Sequence, residues 1–221
     1  MENRLDLQGR VALVTGGAHR VGRALALALA RAGCDVAIHY HRSADEAART
    51  VRDIEALGVR AVALTADLAD ATAAAPLIED AVAALGRLDV LVNSASLFER
   101  ARVADIDAAA WDRVQAVNLR APFLLSRAAA PHLAKSGGCI VNMADLSALQ
   151  PWPSYAHHAV SKAGLVHLTR VLARALGPDV RVNAIAPGTV LPPEDDPGED
   201  GAGRRVVATG GSPADVERAL L

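Results

Sequence analysis

The residue pattern predicts a doubly wound α/β protein, a parallel sheet with helices on both faces. Three observations lead there. Six short apolar runs recur along the 221 residues, each separated from the next by a segment of helical composition. The first run enters a glycine-rich turn and then an alanine- and leucine-rich helix. Hydrophobic residues make up 52% of the chain but aromatics only 3%, so the core is built from Ala, Val, Leu and Ile, which suits helices lying close on a parallel sheet.

The elements follow in order. Val11–Val14 is a strand, and Thr15-Gly16-Gly17-Ala18-His19-Arg20-Val21-Gly22 is the turn that follows it. Arg23–Ala32 is a helix stopped by Gly33, and Val36–Ile38 is the next strand, so strand, helix and strand fit within the length of a right-handed crossover. Further strands are expected at Ala61–Leu64, Val90–Val92, Ile140–Met143 and Val182–Ile185. A helix from Ala159 to Leu176 stops at Gly177-Pro178. From Pro187 an acidic segment rich in proline and glycine reads as a mobile loop over 187–211, on the substrate side. Ser212-Pro213 then opens a helix that runs to Leu221. At this length one domain is expected, spanning 1–221.

Composition excludes several function classes. A net charge of −2 with no basic tract argues against a nucleic-acid partner, and no apolar run reaches transmembrane length. Met1-Glu2-Asn3-Arg4-Leu5-Asp6 does not read as a secretory signal, so a soluble cytoplasmic protein is expected. Cys34 and Cys139 each lie beside an apolar run and read as buried thiols. None of the seven histidines has acidic or thiol partners at ligand spacing, so no metal site is expected.

The turn at 15–22 has the chemistry of a phosphate cradle. Glycines permit a tight turn and close approach to a pyrophosphate, and the helix that follows offers unpaired N–H groups and the positive end of its dipole. Strand, turn and helix together form the first half of a Rossmann-type unit.

Five motifs, in order and across nearly the whole chain, resemble those of the short-chain dehydrogenase/reductase family. Gly16, His19, Arg20, Val21 and Gly22 match its cofactor loop, and Asp67-Leu68 its adenine contact. Asn93-Ser94-Ala95 resembles its Asn-Asn-Ala-Gly strand end, and Asn118 its mid-helix catalytic asparagine. Pro187-Gly188-Thr189-Val190 resembles the stretch that holds the nicotinamide amide. Within the family the resemblance is closest to pteridine reductases. It rests on Arg20 in the loop, on His39-Tyr40-His41-Arg42-Ser43 after the second strand, and on Ser96 and Phe98, similar to residues that line the pterin site. A dinucleotide cofactor and a small-molecule substrate are implied.

The residues themselves bear on which cofactor. An NAD site usually has a carboxylate at the end of the second strand for the ribose hydroxyls, and none stands near His39. Arg42 and Ser43, with His41 beside them, suit a 2′-phosphate instead, so NADPH is expected. Arg42 on its own also reads as a solvated loop cation. Phe98, one of two phenylalanines, reads either as core or as a flat ring to stack on a planar heterocycle.

The family places a catalytic tyrosine four residues before a lysine. Here Lys162 is present, but position 158 is histidine. Tyr155 lies seven residues before Lys162, behind a Pro151-Trp152-Pro153 run that argues for a loop up to that point. The thirteen residues from Asp145 to His158 match the family spacing between an active-site aspartate and the tyrosine, which puts His158 in the proton-donor slot. Imidazolium is a competent acid, with an unperturbed pKa of about 6.5 against about 10 for tyrosine. Lys162 opposes a second positive charge, Asp145 can offset it by pairing with His158, and Asp145 can alternatively deliver the proton itself.

The reading is therefore an NADPH-dependent reductase of a pterin-like planar heterocycle. Arg20, Ser96, Phe98 and Asp145 would form its substrate site, and Asn118, Asp145, His158 and Lys162 its chemistry. Two alternatives stand beside it: a reductase of 3-oxoacyl or other carbonyl compounds, and a catalytically impaired NADP-binding subunit. Family members usually continue with a further C-terminal strand, which is missing from this sequence, and a homo-oligomer, dimer or tetramer, is the expected assembly.

Overall fold

A computed structural model describes residues 6–188. The chain divides after Ala186, and the fold described is that of the compact unit ending there. The one-domain expectation for 1–221, the loop at 187–211 and the closing helix reach beyond the described residues.

Six parallel strands form a single sheet in the order β3-β2-β1-β4-β5-β6: β1 (Val11–Val14), β2 (Asp35–Tyr40), β3 (Ala61–Thr65), β4 (Val90–Asn93), β5 (Cys139–Met143) and β6 (Arg181–Ile185). All six expected strands are present. The helices are α1 (Arg20–Arg31), α2 (Ala44–Glu55), α3 (Ala74–Leu85), α4 (Ala108–Gln115), α5 (Ala121–Ser136) and α6 (Ala156–Leu176).

Alternation along the strands divides the core into two layers. Val11 and Leu13 of β1 face a cluster with Leu77 and Ile78 of α3, Leu125 and Leu133 of α5 and Leu172 of α6. Ala12 and Val14 face the other layer, with Ala26 and Ala30 of α1 and Ala47 and Ile54 of α2. β1 and β4 are buried throughout, as strands covered on both faces must be. Small residues on α1 let it lie close to the sheet.

The strand order reverses between β1, which pairs with β2, and β4. In open α/β sheets ligands bind outside the carboxyl ends of the strands at such a switch point. Every candidate residue on β1, β2, β4 and β5 lies at or just beyond those ends.

Three expectations are corrected. α1 begins at Arg20 rather than Arg23, because Arg20 turns the chain into the helix with a left-handed φ of 45°. α6 begins at Ala156 rather than Ala159, because Pro153–Tyr155 form a 3₁₀ turn that feeds directly into it. Proline suits the start of such a turn, where its missing N–H is not needed. Cys34 is buried, with its thiol pushed up to about 12 by burial, but Cys139 on β5 is only half-buried. No helix among the described residues is long and apolar enough to cross a membrane.

Candidate active site

The turn after β1 is held by side chains as much as by glycines. The Thr15 hydroxyl accepts the amides of Ser94 and Ala95 at 2.9 and 3.0 Å, tying the ends of β1 and β4 together. The buried His39 ring accepts the Gly16 amide at Nδ1 and donates from Nε2 to the Ala66 carbonyl, so it is the neutral Nε2–H tautomer. Burial pushes its pKa below the ordinary histidine value. Neither Thr15 nor the His39 ring stood among the expected site residues.

The glycines serve a use closer to hand than ligand clearance. A Cβ at Gly16 would stand 2.9 Å from the Ala95 Cα, and one at Gly22 would overlap the Gly16 carbonyl oxygen. They let the turn fold onto itself and onto β4. The cradle nevertheless fits a dinucleotide, because the N-cap residue His19 makes no side-chain bond to the first turn of α1, which leaves that helix end suited to an anion. His19, Arg20, Val21 and Gly22 sit at that helix end.

Beyond β2, Arg42 is exposed and the Ser43 side chain makes no capping bond to α2, although Ser43 is its N-cap residue. Beyond β3, Asp67 accepts the Ala69 amide, its other oxygen lies 3.8 Å from His41, and Leu68 is buried. Asn93 closes β4. Its side chain turns into the protein and donates to Asn142 at 2.8 Å, so only its backbone faces the strand ends. Pro187 and Gly188 lie past the division after Ala186, and Thr189 and Val190 lie outside the described residues.

The chemistry-bearing residues converge around one buried side chain. Asn118 lies in a π-helical turn, Ala116–Arg120, between α4 and α5. Such turns occur often at functional sites. Its Oδ1 accepts the Leu97 amide at 2.8 Å, and its Nδ2 donates to the Leu97 carbonyl at 3.0 Å and to Ser161 at 3.1 Å. His158, one turn before Lys162 on α6, has Nδ1 2.9 Å from the same Leu97 carbonyl and Nε2 2.5 Å from Asp145. Ser147 donates its amide, at 2.8 Å, and its hydroxyl to the other oxygen of Asp145. The expected pairing of Asp145 with His158 is thus present, and Ser147, Ser161 and Leu97 are partners that residue spacing did not reveal.

Burial by itself would raise the Asp145 carboxyl. The hydrogen bonds from His158 and Ser147, with the charges of His158 and Lys162, outweigh it and hold Asp145 below the usual carboxylate range. Lys162 is buried and donates to the Met143 carbonyl at 2.7 Å; burial lowers its pKa to about 8, against the pull of Asp145. Over these groups stands an aromatic cluster. Phe98, 52% exposed, stacks on Tyr155 at 4.4 Å and meets His158 edge-on at 4.8 Å, with Trp152 beside both rings. One Phe98 face is therefore already used within the protein, and Ser96 lies two residues before it.

Residues 10–197 match the family model described as short chain dehydrogenase. The chain belongs to the short-chain dehydrogenase family. Among curated members it is similar to 2-dehydro-3-deoxy-D-gluconate 5-dehydrogenase of Dickeya dadantii (strain 3937), 35% identical over 84% of this chain and 74% of that one. The Escherichia coli (strain K12) protein of the same name is 37% identical over 83% and 72%. Among solved structures, a short chain dehydrogenase from Burkholderia cenocepacia J2315, in complex with NADP, is 43% identical. It superposes with a TM-score of 0.80, over 85% of this chain and 76% of that one.

A short-chain dehydrogenase is an oxidoreductase, which fits the gathering of Asn118, Asp145, His158 and Lys162 on the side of the sheet where α1 begins. Where this short-chain dehydrogenase departs from the pattern set out above is at His158, in place of tyrosine.

Proposed function

We propose that the protein is an NADPH-dependent reductase of a planar, pterin-like heterocycle. The observation that carries this reading is the half-exposed Phe98 ring, stacked on Tyr155 at the rim of the Asp145–His158 pair. An apolar aromatic rim favours a flat ring over a polyhydroxylated chain. Arg20, Ser96 and Asp145 would supply the polar contacts. NADPH over NADH is supported by the exposed Arg42, by the uncommitted Ser43 hydroxyl and by the absence of a carboxylate at the end of β2, with His41 alongside.

The cofactor, when bound, supplies the hydride. The open end of α1 would take its pyrophosphate, the backbone of Asn93, Ser94 and Ala95 would line it, and Asp67 with Leu68 would meet its adenine. Lys162 would hold its nicotinamide ribose. Asn118 fixes the Leu97 segment under Phe98, and Asp145 with His158 supplies the proton.

A second reading, reduction of a sugar-like or 3-oxoacyl carbonyl, is favoured by the names of the two curated relatives, both dehydrogenases of a sugar acid. The test is NADPH oxidation by the purified protein with dihydrobiopterin, dihydrofolate, a 3-oxoacyl ester and a keto sugar acid, alongside fluorescence of bound NADPH. Turnover of a pterin supports the proposal. Turnover of a carbonyl substrate alone replaces it with the second reading, and binding without any turnover identifies an impaired NADP-binding subunit.

A further inference from the structure

His158 occupies the proton-donor position, yet the way it is held leaves it no hydrogen to offer a substrate. The Asn118 amide is oriented by its acceptance of the Leu97 N–H, and its two hydrogens go to the Leu97 carbonyl and to Ser161. Nδ1 of His158 lies 3.3 Å from that same amide nitrogen, the longest of its three contacts, but 2.9 Å from the Leu97 carbonyl, which can only accept, so Nδ1 carries its own hydrogen and donates it to Leu97. Nε2 faces only Asp145. The ring is 2% exposed beneath Phe98, whereas the Asp145 side chain keeps 20% of its surface open.

We propose that Asp145 is the residue that protonates the substrate, and that His158 is a positioning residue that stores the proton behind it. The inference rests on the reductase reading above and adds the origin of its proton. With Nδ1–H committed to Leu97, the Nε2···Oδ2 contact holds one transferable proton, which starts on Nε2 and is donated to the carboxylate. In the forward step the Nε2–H bond breaks and an O–H bond forms at Oδ2. That O–H then breaks as a bond to hydrogen forms on the substrate nitrogen or oxygen, whose neighbouring carbon receives the hydride's two electrons. His158 is left neutral, still donating from Nδ1, and regains a proton from water through Asp145. Ser147 holds the opposite carboxylate oxygen, so Oδ2 is the oxygen free to exchange.

Charge around the pair favours this division of labour. Lys162, on the same helix, faces Asp145 and stabilises the carboxylate between turnovers. His157, the adjacent residue, is buried, with Glu99 and Arg113 on its side of α6, and Tyr155 covers Phe98.

The first test needs no substrate. Nitrogen NMR of the full chain labelled with ¹⁵N-histidine, with the His158 signals assigned by their loss in His158→Gln, reports the protonation of each ring nitrogen. Near neutral pH, His158 is expected to carry hydrogen on both nitrogens, with a strongly downfield Nε2 proton that disappears in Asp145→Asn. A His158 with a bare Nε2 overturns the proposal.

The second test is kinetic, with NADPH and dihydrobiopterin. Asp145→Asn should lower kcat by about 10²-fold or more. His158→Gln should retain part of the rate, and that remainder should rise as pH falls, because Asp145 must then take its proton from water. An active Asp145→Asn beside a dead His158→Gln would make His158 the direct donor and overturn the proposal. If the wild type turns over no probe, the substrate reading fails, and the NMR result alone decides the proton pair.

Discussion

Gly16 donates its backbone amide to Nδ1 of His39 across 3.2 Å, and the far nitrogen of the same ring donates to the Ala66 carbonyl at 3.1 Å. One imidazole thus clamps the cofactor turn to the end of β3, and it can do so only while neutral. Its pKa is lowered by burial, so the folded chain refuses a proton that the unfolded chain accepts. The stability contribution is complete above the unfolded value of about 6.5 and is lost as pH falls through the lower folded value. His39→Leu should cost about 1–3 kcal/mol at pH 7 by leaving the Gly16 amide and Ala66 carbonyl unpaired. Urea unfolding should show that gap narrowing as pH falls below the histidine range.

Gly22→Ala should weaken NADPH binding strongly, because the added Cβ overlaps the Gly16 carbonyl oxygen and forces the turn off α1. Overpacking of this kind costs about 1–3 kcal/mol, so the variant should fold with a lowered Tm. Calorimetry with and without NADPH separates the two effects. An unchanged ligand-induced rise in Tm would show that the turn tolerates the methyl group.

Lys162→Met should stabilise the ligand-free protein while abolishing function. Burial lowers the Lys162 pKa from 10.5 to about 8, so at pH 7 the folded state carries a charge that costs about 3 kcal/mol. As pH rises from 8 towards 10.5, the unfolded chain holds the proton that the folded chain has released, and the wild type recovers this deficit. Denaturant midpoints should therefore favour Lys162→Met at pH 7 and converge with the wild type at high pH. The loss of the Met143 contact will offset part of the gain.

Arg42→Ala should reduce NADPH affinity by roughly 10- to 100-fold, the worth of a hydrogen bond to a charged group, and leave NADH affinity little changed. Fluorescence titration with both nucleotides checks this. Equal losses for the two would remove Arg42 from the 2′-phosphate site.

Periodicity and turn chemistry are local properties, and they revealed all six strands, the winding of the sheet and the turn that opens α1. The family resemblance grouped Asp145, His158 and Lys162 in one site, and the strand end and helix face that carry them bring Asp145 and His158 into contact. Other features depend on segments far apart in sequence. Nothing near His39 reveals that its ring reaches Gly16, nothing near Thr15 reveals its hold on Ser94 and Ala95, and the inward turn of Asn93 depends on Asn142, forty-nine residues away. The same holds at the proton donor: the family resemblance put His158 in the donor slot and left Asp145 as the alternative. The burial of His158 under Phe98 and the capture of both ring nitrogens, by Leu97 from after β4 and by Asp145 from after β5, are long-range contacts. They exist only once the sheet has brought those strand ends side by side.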